Sequence, residues 1–284
     1  MSAMSQYYRF TRTYIGPLKA CLLDWSGTTA DKYVIAPAVV FQDVFKKHKV
    51  PISMLEAREP MGLRKDLHIL EITRTNEVRE RWFSVHAKYP EQAEVDAMFA
   101  DFVPMQLECL SKYTKLIPGA AEAVKTLRNQ YGLKIGSTTG FTRPMVDILE
   151  RDAKKQGLTF DCTVAGDEVT NGSRPKPHMV FRNMDLLDVH PVQAVLKVDD
   201  TVSGIGEALA AGCWGVGVAR YSNYMHINSL GEEKHVPETE IRRRLEHSRD
   251  LLRKAGSHYV VDSIADLPEV VEKINARLAN GEKP

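Results

Sequence analysis

Four short stretches of this 284-residue chain combine residue types that do chemistry with an order that brings them together. Cys21-Leu22-Leu23 ends in Asp24 and runs on into Trp25-Ser26-Gly27-Thr28-Thr29, and residues 133 to 136 end in Ser137-Thr138-Thr139-Gly140. A loop holds Gly172-Ser173-Arg174-Pro175-Lys176-Pro177, and residues 194 to 198 end in Asp199-Asp200-Thr201. An apolar run that stops at an acid or a hydroxyl reads as a buried strand delivering that group into a turn. In a parallel sheet the C-terminal strand ends share one rim, where ligands bind. Carboxylates gathered there repel unless a cation sits between them, and Mg²⁺ takes one or two carboxylates together with water and phosphate oxygens. The hydroxyls and glycine amides can donate to a phosphate whose remaining charge Arg174 or Lys176 neutralises. The set predicts a phosphoryl-transfer site with Asp24 as nucleophile.

The elements that must position these groups alternate. Strands are expected at 21 to 23, 133 to 138, 160 to 164, 194 to 198, 214 to 218 and 258 to 261, with helices at 120 to 130, 143 to 156, 203 to 211, 237 to 254 and 267 to 279, a further helix holding Met179, Val180 and Met184 with Pro177 in its first turn, and a loop over 219 to 236. That alternation predicts an α/β fold with a doubly wound parallel sheet. Residues 35 to 112 break it with helix after helix. Val40, Phe41, Val44 and Phe45 share one face, Ser53 is placed to cap residues 54 to 59, and a longer pattern covers 93 to 110. Helices inserted between two strands suggest a lid that excludes water. The expected organisation is a core of residues 1–34 and 113–284 and a helical cap of 35–112.

Lys plus Arg (38) nearly cancel Asp plus Glu (37), so no broad basic field points to nucleic acid. No apolar run approaches the roughly 20 residues of a membrane span. Cys21, Cys109, Cys162 and Cys213 are scattered, which fits a reducing, cytoplasmic setting better than a disulfide framework or a zinc site. The first 23 residues carry Arg9, Arg12 and Lys19 but no acid, a composition shared with organellar targeting segments, yet Tyr7, Tyr8, Phe10, Tyr14 and Ile15 can equally pack on the domain. Arg242-Arg243-Arg244 is expected to be the solvated face of its helix.

With those motifs in order from Asp24 to Thr201, the chain resembles the haloacid dehalogenase superfamily of phosphotransferases, and the inserted helices resemble its cap. One departure matters. Most phosphatases of that superfamily carry a second Asp two residues after the nucleophile to protonate an ester leaving group, and here that position is Ser26, far too weak an acid near pH 7.

The cap segment Pro60-Met61-Gly62-Leu63-Arg64-Lys65-Asp66-Leu67-His68 supplies a different route. Lys65 falls in the first turn of a helix, where the positive dipole end lowers the amine's pKa, and burial under a lid lowers it further. A neutral amine condenses with an aldehyde to an iminium, which accepts electrons from a departing carbon. His68, on the same helix face, is placed to move protons during that chemistry, whereas Asp66 beside Lys65 could instead hold it charged.

Met-Gly-Leu-x-Lys with His three residues on, together with a small residue in place of the second Asp, is similar to the phosphonoacetaldehyde hydrolase family. The resemblance implies hydrolysis of phosphonoacetaldehyde with Mg²⁺, through a Schiff base on Lys65. It makes Asp24 nucleophile and metal ligand, with the Ser26 carbonyl and Asp200 completing the protein's metal ligands. Thr139, Gly140 and Arg174 would hold the phosphoryl group, with Met61 and His68 near the imine. Val34 and Phe141 stand where a cysteine and a tyrosine can occur in the family, so no thiol or phenol role carries over. A homodimer through the cap, and a transaminase that supplies the substrate, are likewise implied. The rivals are an ester phosphatase, which needs another proton donor and no Lys65, and an idle phosphate-binding domain, which needs neither Asp24 nor Asp200.

Overall fold

The computed structural model describes residues 13–170 and 172–284. Six strands form one parallel sheet: β1 (Ala20–Leu23), β2 (Lys134–Thr138), β3 (Cys162–Val164), β4 (Val195–Asp199), β5 (Trp214–Val218) and β6 (Tyr259–Val261), in the order β3-β2-β1-β4-β5-β6. β1 lies between β2 and β4, so the strand order reverses between β1 and β4 and a crevice opens at their C-terminal ends. Asp24 and Asp199 flank that point.

Side chains of β1 alternate with the two-residue period of a strand. Cys21 and Leu23 face a large apolar cluster, while Ala20 and Leu22 face a smaller one. The helices divide accordingly. On the larger side lie α6 (Ala120–Tyr131), α7 (Arg143–Lys155) and α11 (Leu267–Ala279), and on the smaller side α8 (His178–Leu186) and α9 (Val202–Ala211). Gly212 caps α9 at φ 77°, the left-handed conformation that glycine adopts freely. α10 (Glu238–Lys254) packs Leu252 against Ile205 and Ala219.

Between β1 and α6 come five α-helices: α1 (Ile35–Lys47), α2 (Met54–Arg58), α3 (Lys65–Arg74), α4 (Asn76–His86) and α5 (Gln92–Leu110). Val40, Phe41, Val44 and Phe45 are all buried, as their spacing predicts, against Ile69, Ile72, Met98 and Phe102. Ser53 caps α2 in a reciprocal box with Glu56, and Lys65 is the first residue of α3. α4 has no counterpart in the sequence reading. Its segment NEVRERWFSVH is mostly polar, and only Val78 and Trp82 are buried, too few to make a visible stripe.

Three smaller expectations meet a different outcome. Residues 219 to 236 read as loop but include short 3-10 turns over Asn223–Met225 and Glu232–His235. Arg242 and Arg243 are solvated and pair with Glu238 and Glu240, whereas Arg244 donates to the carbonyls of Met225 (3.2 Å) and His226 (2.8 Å) and pins that loop. Tyr14 packs on the core but Ile15 is 66% exposed, while Tyr7, Tyr8, Phe10, Arg9 and Arg12 lie outside the described residues. Among the described residues no helix is long and apolar enough to cross a membrane, and all four cysteines are free.

Candidate active site

Asp24 follows β1 directly and its amide continues the ladder to the Val198 carbonyl at 3.0 Å, so the strand itself aims the carboxylate. The turn after it is closed by the Trp25 carbonyl, which accepts from Thr29 and Ala30, and by the Thr29 hydroxyl, which donates to the Asp24 carbonyl at 2.6 Å. Gly27 sits at φ 81°, and a Cβ there would lie 2.4 Å from an Asp200 carboxylate oxygen. A side chain at this position would push apart the two strand ends that carry the acids.

Asp24, Asp199 and Asp200 present carboxylate oxygens within 4.8 Å of one another, all buried. Burial raises the Asp24 carboxyl above the usual range and Asp199 adds to that, against the pull of Arg174. Asp200 is raised well above it by burial and by the charges of Asp24 and Asp199. Crowding of this kind favours a cation. The three are not equivalent as ligands. Asp199 already accepts from Lys197 Nζ (2.6 Å), Thr201 N (3.0 Å) and Thr201 Oγ1 (2.7 Å), whereas Asp200 Oδ1 is buried without a partner. Nothing among the described residues donates to the Ser26 carbonyl. Asp24, Asp200 and that carbonyl are therefore the oxygens left open for a metal.

Of the two candidate bases, Arg174 reaches the site. Its Nη2 donates to Asp24 Oδ1 (2.6 Å), the Thr138 carbonyl (2.8 Å) and Thr138 Oγ1 (2.8 Å), and its Nε donates to Glu207 Oε2 (3.0 Å). Lys176 does not line the cavity that holds Asp24. Thr139 and Gly140 do line it, together with Arg174.

The helical segment 35–110 closes this cavity with Met61, Gly62 and Lys65. Gly62, at φ 96°, comes so near the start of α9 that a Cβ would fall 2.1 Å from Ser203 Oγ and 2.5 Å from Thr201 Oγ1. Gly140 leaves matching room on the strand side, where a Cβ would lie 2.5 Å from the Leu63 carbonyl. Arg58, 2% exposed, donates to the carbonyls of Tyr33 (2.7 Å) and Ile227 (2.7 Å) and to the side chains of Asn223 (2.9 Å) and Asn228 (3.0 Å), which fastens the same segment to the loop after β5.

Lys65 is 4% exposed, with its ammonium nitrogen 4.7 Å from the centre of the Phe141 ring. Its pKa is lowered to about 8, chiefly by burial and further by Arg174, against Asp24, Asp31 and Asp200, which raise it. Asp66 does not hold it charged, because both Asp66 oxygens are taken by Arg64 at 2.7 and 2.6 Å. His68 is fully buried, stacked on Phe41 at 3.9 Å, and its Nε2 meets the Ala57 carbonyl at 2.9 Å. Burial and the nearby Lys65 hold it well below its ordinary pKa. With Nε2–H donating to Ala57, a neutral ring leaves a lone pair on Nδ1, which makes no other bond. A ring held this far below its ordinary pKa rests neutral, and His68 is not among the residues that line the cavity of Asp24.

Sequence reasoning missed Asp31, Arg58, Lys197 and Glu207. Asp31 caps α1 by accepting from Ile35 N (3.1 Å) and Ala36 N (3.2 Å), and burial pushes its pKa up to about 7. An acid four residues before an apolar helical run was the available signal. The others had none, since a charged residue inside a strand or helix pattern reads as surface.

Residues 18–212 match the haloacid dehalogenase-like hydrolase family. The phosphonoacetaldehyde hydrolase of Nitratidesulfovibrio vulgaris is 40% identical over 274 residues, covering 96% of this chain and 97% of the relative. That of Syntrophobacter fumaroxidans is 38% identical over 273 residues, covering 96% and 98%. Among solved structures, a phosphonoacetaldehyde hydrolase like protein from Oleispira antarctica superposes with a TM-score of 0.93 at 34% identity, covering 98% of this chain and all of that one.

Proposed function

The chain belongs to the haloacid dehalogenase-like hydrolases and, within them, to the phosphonoacetaldehyde hydrolase family, and from that premise we propose that it cleaves the carbon–phosphorus bond of phosphonoacetaldehyde to give acetaldehyde and phosphate. The observation that carries the reading is a buried lysine of lowered pKa in the cavity of a buried aspartate, with Ser26 where an acid would serve an ester. Neutral Lys65 adds to the aldehyde carbon, and with the uptake of one proton water leaves, forming an iminium two bonds from phosphorus. Asp24 attacks phosphorus, the P–C bonding pair moves into the iminium, and the carbon leaves as an enamine without needing an acid at position 26. Water then hydrolyses the aspartyl phosphate, and the enamine takes up a proton and water to release acetaldehyde and restore Lys65.

The remaining residues bind and orient. Arg174, Thr139 and Gly140 hold the phosphoryl oxygens, Met61 walls the aldehyde side, and His68 relays a proton during imine formation, taking it at Nδ1 from the adding amine and returning it to the departing hydroxyl so that the ring ends neutral. The open oxygens of Asp24, Asp200 and the Ser26 carbonyl fit Mg²⁺. When bound, it supplies the positive charge that lets an anionic phosphoryl group approach a carboxylate. The proposal extends to a core of residues 1–34 and 113–284 under a cap of 35–112, to a cytoplasmic location in keeping with the free cysteines, and to a homodimer through the cap, where Leu55, Phe83 and Val85 are exposed.

The test is to incubate the protein with phosphonoacetaldehyde, reduce with borohydride and map the adduct. Labelling at Lys65 supports the reading. Normal turnover by Lys65→Arg would overturn it.

A further inference from the structure

Glu207 is a carboxylate where the fold offers every reason for an apolar residue. It sits on α9, whose buried neighbours are Gly204, Ile205, Ala208 and Ala211, and it is fully buried. The helix lies so close to the sheet that a Cβ on Gly204 would fall 1.9 to 2.2 Å from the Asp199 carboxyl atoms. A buried charge in so tight a layer persists only with partners that offset its lost hydration.

Its partners all lead to the phosphoryl site. Glu207 Oε2 accepts from Arg174 Nε (3.0 Å) and from Thr138 Oγ1 (3.1 Å), with Lys197 Nζ 3.9 Å away. The Thr138 hydroxyl in turn accepts from Arg174 Nη2 (2.8 Å), so guanidinium, hydroxyl and carboxylate close a ring. Two edges of the guanidinium are thereby committed to the protein. Arg174 Nη1 makes no hydrogen bond among the described residues, and Arg174 lines the cavity. Asp199 and Glu207 also balance the charges of Lys197 and Arg174 beneath the rim, which leaves Asp24 and Asp200 for cation and substrate.

We propose that Glu207 is a positioning residue for the reaction, anchoring Arg174 through Nε so that Nη1 stays free for the phosphoryl oxygens and Asp24 is met by one guanidinium nitrogen only. The inference rests on the phosphonoacetaldehyde reading above. Without the anchor the guanidinium can turn and grip both oxygens of Asp24, the two-toothed arrangement arginine favours with carboxylates. That arrangement masks the nucleophile and withdraws the donor from the phosphate. Capture of the aldehyde by Lys65 uses neither group, so the two half-reactions separate.

The experiment compares wild type, Glu207→Gln and Thr138→Val as full chains with Mg²⁺ and phosphonoacetaldehyde. Phosphate release and borohydride-trapped adduct at Lys65 are measured on the same samples. Glu207→Gln keeps the shape and removes the charge, and Thr138→Val breaks the ring from another element should the first variant fail to fold. The expected result is a kcat for phosphate release lower by on the order of tenfold to a hundredfold in Glu207→Gln, and lower to a smaller extent in Thr138→Val, with trapping at the wild-type rate. Release within twofold of wild type in the folded variants would overturn the proposal. So would parallel loss of trapping and release, which is the mark of a purely structural role. Absence of trapping in the wild type itself would instead remove the reading on which the proposal stands.

Discussion

Raising the pH from 6 to 9 should accelerate imine formation at Lys65 and then stop accelerating it. With a pKa of about 8 the amine is neutral in roughly 1% of molecules at pH 6, 9% at pH 7, half at pH 8 and 90% at pH 9. Capture should therefore rise about tenfold between pH 6 and 7, about fivefold between 7 and 8, and less than twofold above that. A lysine at its ordinary 10.5 would still be gaining tenfold per pH step at 9. Burial is the main cause of the shift and Arg174 the second, opposed by Asp24, Asp31 and Asp200. The same shift acts on stability with a defined sign. Between pH 8 and 10.5 the unfolded chain holds a proton on Lys65 that the folded chain does not, so the contribution of this residue to stability rises with pH across that window and is level below it. The assay is rapid mixing of enzyme with stoichiometric phosphonoacetaldehyde, a borohydride quench at timed intervals, and quantification of the Lys65 adduct at each pH. A limb centred near 10 would refute the argument from burial. One centred near 6.5 would show that His68 titrates at its ordinary value, against its place under Phe41.

Asp24→Ala should abolish phosphate release while the Lys65 adduct still forms, and its capture limb should move to lower pH because a charge that raises the Lys65 pKa is gone; phosphate release by this variant would show that Asp24 is not the nucleophile. Gly62→Ala places a Cβ 2.1 Å from Ser203 Oγ at a φ of 96°, a strain of about 1–3 kcal/mol that lifts the cap segment, so KM should rise and kcat fall, with Gly62→Ala/Ser203→Gly recovering part of both. Arg58→Leu strands three buried acceptors and a partly buried one and should cost about 3 kcal/mol, read as a lowered melting temperature. Chelation should stop phosphate release and spare imine trapping, and Mg²⁺ should raise the melting temperature by relieving the repulsion between Asp24 and Asp200, which a thermal scan with and without the ion measures.

Much of the site is legible in the chain because strand ends leave local marks. An apolar run that stops at Asp24, Thr138 or Asp199 shows both the strand and the group it delivers, and the sheet order then places those groups side by side without further information. The cap lysine is legible for a related reason, since Gly62 and the first turn of α3 mark its position. α4 was not, because its burial rests on two side chains. Nor was the role of Arg244, whose neighbours in sequence are solvated while it reaches back to the carbonyls of Met225 and His226.

By itself the sequence determined which groups exist at the rim and in what order, because strand periodicity and turn residues are local properties of the chain. Tertiary structure alone decided their charge and their partners. Burial lowers the pKa of Lys65, and Arg64 occupies both oxygens of Asp66. Asp199 is claimed by Lys197 and Thr201 while Oδ1 of Asp200 is left open. Arg174 is held by a glutamate 33 residues away. Hydration and Coulomb energies depend on distances between side chains that no spacing along the chain encodes, and they are settled only when the helices close over the sheet.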